Sequence, residues 1–206
     1  VPEVDRALGS MIKNFNIDSG RAGDNMAYVF KNAGDQYDDL LDTFNEYSST
    51  FADMSLAPEQ VSAAFVAGTK KGARNFDDMA DSMREFNIRR NEMTDDQVAS
   101  FKKVLGADEA KKMFDGFANG SYTGQEALYR LAGGLSKIES ESDRAAIATT
   151  LIGTKYEDLK QPILDMAGAI DEPVKATGEL NKQFDTMRDN NPMTPINDAG
   201  RKVKAI

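Results

Sequence analysis

The sequence contains no cysteine, no histidine and no tryptophan. Without cysteine there is no disulfide and no thiolate chemistry. Without histidine the chain lacks the commonest general base near neutral pH and the commonest transition-metal ligand. Ser-His-Asp, Cys-His and His-zinc constellations are thereby excluded within these 206 residues. Positive charge is also in deficit. Twenty-five Lys and Arg face 34 Asp and Glu, a formal net charge of −9. An acidic surface repels phosphate backbones, so nucleic acid is not an expected partner. Long apolar runs are missing too. The least polar stretch, Ala145 to Gly153, is far shorter than the ~20 residues that span a bilayer, and no membrane insertion is expected. Glu3 and Asp5 stand where a secretory leader would be basic. The chain reads as a piece excised from a longer protein.

What is present is helical periodicity. Val4, Leu8, Met11 and Phe15 form one apolar stripe, and Met26, Val29, Phe30 and Ala33 another. Strand-like alternation is nearly absent, which points to an all-α chain of about ten short helices. Stop and start signals are dense. Thr94 with Gln97, Thr123 with Glu126, Ser140 with Asp143, and Thr154 with Glu157 have the spacing of capping boxes, in which each partner satisfies a free backbone N–H. Pro58 suits the first position of a helix. Gly34, Gly72, Gly106, Gly120 and Gly153 fall where helices should end. These signals predict helices over 3–15, 24–33, 37–51, 58–71, 76–88, 95–105, 108–117, 124–138, 141–152, 155–169 and 172–189.

Residues 38–47 (DDLLDTFNEY) and 77–86 (DDMADSMREF) match at an offset of 39. Leu40, Phe44 and Tyr47 share a helical face, as do Met79, Met83 and Phe86. Asp39, Asp42 and Glu46 line the opposite side of the first, and Asp78, Asp81 and Glu85 that of the second. Units with one apolar face must be covered by neighbours, which predicts an irregular, elongated, solenoid-like repeat array. The expected organisation is a helical pair over 1–36, duplicated repeats over 37–121 and a helical bundle over 122–190. An extended linker follows over 191–206, with a basic helix starting near Asn197.

Candidate chemistry is sparse. The clusters Asp38, Asp39, Asp42 and Asp77, Asp78, Asp81 have the side chains of an acid–base pair or an oxygen-only metal site. They lie on the expected solvent side of a helix and lack a cation-wrapping loop, so they read as solvated surface. The basic clusters Lys70, Lys71, Arg74 and Arg89, Arg90 are flanked by acids and read the same way. Gly68 to Lys70 and Gly153 to Lys155 lack the glycine spacing of a phosphate loop and read as helix boundaries. The ten Met, with Phe44, Tyr47, Phe65, Phe86, Phe101 and Phe114, are expected in the core or between repeats. Asp38 to Leu41 as a docking motif is disfavoured because its leucines face inward. No catalytic, cofactor-binding or metal-binding residue is assigned, and no cofactor is expected.

Two stretches carry a resemblance. Asp39, Leu40, Asp42, Glu46, Tyr47 and Phe51, followed by Asn75, Asp77, Asp78, Ala80, Asp81, Glu85 and Phe86, resemble helices of the tape-measure (minor tail) proteins of long-tailed phages and prophages. Arg144, Leu151, Gly153, Thr154, Glu157, Asp158 and Leu159 are similar to a second stretch of that family. The sequence departs from the family's pattern at Met54-Ser55-Leu56, where a glycine is commoner. The resemblance covers roughly residues 20–170. It implies a non-enzymatic virion protein that sets tail length and takes part in tail assembly and DNA delivery. The implied partners are tail tube and tail assembly proteins and other tape-measure copies. The implied locations are the phage tail and, during assembly, the host cytoplasm. The competing reading is a helical-repeat scaffold that binds protein partners on a concave face.

Overall fold

The computed structural model describes residues 2–189, with the side chains of 187–189 left out. The linker and basic helix expected beyond residue 190 lie outside the described residues. Among these residues there are twelve helices and no strand. They are α1 (Pro2–Phe15), α2 (Ser19–Ala33), α3 (Leu40–Asp53), α4 (Pro58–Lys70), α5 (Phe76–Glu92), α6 (Asp95–Leu105), α7 (Ala107–Asn119), α8 (Gly124–Leu135), α9 (Glu141–Ile152), α10 (Lys155–Leu159), α11 (Gln161–Ala169) and α12 (Glu179–Asp189).

Local chemistry sets most of these boundaries. Thr94 and Thr123 form full capping boxes with Gln97 and Glu126. Ser140 caps the Asp143 N–H at 3.2 Å. At α4 the Gln60 side chain reaches back to the Ala57 N–H at 2.8 Å, and Pro58 occupies the first turn. The five stop glycines all have positive φ, a conformation cheap only without a Cβ.

Three expectations about the boundaries of the last helices fail. Thr154 adopts a helical conformation and makes no side-chain cap bond, because Gly153 has already turned the chain into α10. The helix expected over 155–169 breaks at Lys160, which takes φ 45° and ψ −108°. The helix expected from 172 begins only at Glu179, after Pro173 and Gly178.

The core grows from the apolar faces. Phe65 on α4 sits among Phe44, Phe51 and Phe76, with ring centroids 5.7, 5.8 and 5.3 Å away. A second chain of rings joins Phe86 to Phe101 at 6.5 Å and Phe101 to Phe114 at 5.9 Å. The duplicated positions are equivalent: Leu40, Phe44 and Tyr47 are buried, as are Met79, Met83 and Phe86. Phe30 and Val4 depart from their stripes and are exposed.

Contacts run from α1 to α3 to α5 to α9, and separately from α12 to α2 to α4 to α11 to α8. The first five helices thus alternate between two rows, as a helical repeat does. A stack touching only sequence neighbours would keep α2 and α4 away from the last helices. Instead the chain folds back: α11 packs on α4 and α12 on α2. The folded-back packing replaces the expected array beyond α5.

Candidate functional site: polar seams between helices

The polar side chains that converge in this fold do so between helices. The first seam joins α2, α4 and α12. Arg21 donates to both Glu59 oxygens at 2.7 Å, a bidentate pair of the strong charge-assisted kind. That contact holds the Glu59 carboxyl below its ordinary pKa and raises the Arg21 guanidinium. Behind it Asn25 is fully buried and accepts from the Ser62 hydroxyl at 2.9 Å. One turn away, Asp24 accepts from the Gly178 N–H at 2.7 Å and the Leu180 N–H at 3.0 Å. A mid-helix carboxylate of α2 therefore caps α12. Lys31 donates to Glu179 at 2.8 Å.

The second seam joins α3, α5 and α10, and here the acidic clusters reappear. Asp38 and Asp42 are exposed, as expected. Asp39, Asp77, Asp78 and Asp81 are not merely solvated surface. Asp39 accepts from the Asp77 N–H at 2.8 Å and so caps the start of α5 from the neighbouring helix. Burial pushes the Asp39 carboxyl up, against the pull of the backbone N–H groups that face it. Tyr47 donates to Asp77 at 3.1 Å; burial, then Asp77, raises its phenol. Lys155 donates to Asp78 at 2.5 Å and lies 3.7 Å from Asp81. Arg84 also donates to Asp81. Apart from Arg84, three residues after Asp81 on the same helix, the partners of these carboxylates come from other elements and have no local signal.

The third seam centres on Arg90, at the meeting of α3, α5, α7 and α8. Its guanidinium lies 5.1 Å from the Phe117 ring centroid and donates to Asn87 at 2.7 Å and to the Asp53 carbonyl at 3.4 Å. Burial lowers its pKa. Nearby, the Gln125 N–H donates to the Met54 carbonyl at 2.9 Å. The basic pair 89–90 is thus packed structure rather than open surface. Lys70, Lys71 and Arg74 are exposed, with Lys71 3.6 Å from Asp165. Gly68 to Lys70 ends α4, and Gly153 to Lys155 joins α9 to α10, as helix boundaries.

Chemically, these seams hold helices at fixed spacing. Of the carboxylates described above, Glu59, Asp24, Glu179, Asp39, Asp78 and Asp81 answer a cation or a backbone N–H, and Asp77 answers the Tyr47 hydroxyl. Among the described residues, no group of three Asp or Glu is arranged to hold a metal ion. No described helix is long and apolar enough to cross a membrane. The Arg21–Glu59, Asn25–Ser62 and Asp24 contacts were missed by sequence reasoning. Their only trace is a run of polar residues on the packed side of α2.

The profile of a family described as phage-related minor tail proteins matches residues 1–153. The uncharacterized protein YqbO of Bacillus subtilis (strain 168) is 60% identical over 204 residues, which is 99% of this chain and 13% of that protein. A probable tape measure protein of Streptomyces phage phiC31 is 31% identical over 209 residues, covering 100% of this chain and 27% of that protein. The chain therefore spans less than a third of either relative. No solved structure matches.

Proposed function

Because the chain belongs to the phage-related minor tail protein family, we propose that it is a folded, non-enzymatic segment of the protein that sets tail length. Membership makes it part of a phage tail component; the length-setting role and the roles in assembly and DNA delivery are the finer reading. The observation that carries that reading is the match along the whole chain to a probable tape measure protein. The seams support it: the polar side chains are committed to joining helices, as a structural module requires. The partners proposed are tail tube and tail assembly proteins and other copies of the same long chain, met in the host cytoplasm during assembly.

Cross-linking mass spectrometry on purified tails tests this. The expected result is cross-links from residues of this segment, such as Lys102, Lys103, Lys111 and Lys112, to tube subunits. Links to tube subunits from the rest of the parent protein, with none from this segment, would sink it.

A further inference from the structure

Among the described residues, the contiguous hydrophobic core ends at Ile170. Residues 171–189 are attached by other means. The Gln60 amide donates to the Ile170 carbonyl at 2.9 Å, and the Val174 N–H to the Glu59 carbonyl at 3.3 Å. Ala176 is buried but is not joined to the core. Asp24 then caps α12 with two bonds, Glu179 pairs with Lys31 and Lys182, and Leu180 lies against Gly23. The approach there is close: a Cβ added at Gly23 would stand 2.7 Å from Leu180 Cδ2. These backbone caps, the charge pair across the helices and the glycine notch contrast with the ring-packed centre of α3, α4 and α5.

We propose that residues 171–189 form a detachable strap. α12 and its lead-in leave α2 and α4 as one unit while α1–α11 stay folded. Local opening costs least where few apolar contacts are lost, and the strap breaks mainly polar ones that water replaces. An isolated helix as short as α12 is marginal in water, so the released strap is unstructured chain. At ~3.3 Å per fully extended residue, 19 freed residues reach at most roughly 60 Å beyond Ile170. The fold thereby combines a fixed body with an adjustable end, a property the length-setting reading does not require.

Native-state hydrogen exchange on the full 206-residue chain tests this, read by mass spectrometry. Amides of 179–186 should exchange at least about a hundredfold faster than those at the centres of α4 and α5, as a sub-global opening unit does. Two variants release the strap while favouring α2 itself, because alanine is the best helix former. Asp24→Ala removes both caps, and Asp24→Ala combined with Gly23→Ala also crowds the Leu180 methyl in the notch. Each should speed exchange in 178–186 roughly tenfold or more and leave α4 and α5 unchanged. Equal protection of strap and core in the wild type would overturn the proposal. So would variants that speed α4 and α5 by the same factor, or that leave the strap's exchange unaltered.

Discussion

Two adjacent glycines in α8 should respond to alanine with opposite signs. Gly133 has nothing within 4 Å of an added Cβ and faces a cavity of about 490 Å³ that Tyr129, Arg130 and Leu164 also line. Gly134 faces α6: an added Cβ there would overlap Val104 Cγ1 and stand 2.9 Å from the Val104 carbonyl oxygen. Alanine within a helix is worth about 0.5–1 kcal/mol over glycine. Gly133→Ala should therefore stabilise by about that amount. Gly134→Ala gains the same propensity but meets a β-branched side chain and a carbonyl that cannot swing aside. Overpacking of this kind costs about 1–3 kcal/mol, so the net change is destabilisation of up to about 2 kcal/mol. At this chain length that separates the two melting temperatures by roughly 2–12 °C. Thermal melts of both variants, followed by helical circular dichroism, measure the difference. In a Val104→Ala background the Gly134→Ala penalty should shrink but not vanish, since the carbonyl contact stays. Stabilisation by both substitutions would refute the close crossing of α6 and α8.

Three further outcomes follow from the seams. Asp39→Asn should be neutral or slightly stabilising at pH 7, since the amide oxygen still accepts from Asp77 and a charge opposed by burial is gone. Asp39→Ala should cost about 1 kcal/mol in thermal melts. The folded-state pKa of Glu59 is lowered, so its stabilisation is complete above the ordinary glutamate range and is lost as pH falls through the lowered value. Stability of the wild type should decline with acidification in that window, with a shallower slope in Glu59→Gln; identical slopes would contradict the pairing. Arg90→Ala should destabilise by about 1–2 kcal/mol, and Arg90→Lys should recover little, because an ammonium cannot both cover the Phe117 ring and reach Asn87 and Asp53. Full recovery by lysine would rule out the planar contact.

Much of the fold is legible because its signals are local. Thr94, Thr123 and the stop glycines act within one turn, and the period of Leu40, Phe44 and Tyr47 marks a buried face whatever covers it. Most of the failures are non-local. Lys160 adopts a positive φ that no residue type there announces; Pro162, in the first turn of α11, is the local cue passed over when α10 and α11 read as one helix. α12 starts where Asp24 caps it, from a position more than 150 residues earlier in the chain. The acidic clusters looked solvated because spacing along one helix cannot show that Lys155, or the N-terminus of a neighbouring helix, stands opposite. The fold-back of α11 and α12 onto α4 and α2 is a product of those same long-range contacts, and a repeat read at one offset extends only as far as the first five helices.

Tail length tests the functional account most directly. Residues 2–189 are removed in frame from the full-length protein of a phage that carries them, and tails are measured by electron microscopy. A segment of a length-setting protein predicts uniformly shorter tails. With these residues laid out as one continuous helix at 1.5 Å per residue, the decrease is roughly 280 Å. It is several-fold smaller if the body stays folded in the tail. Tails of unchanged length on fully infectious particles would contradict the account.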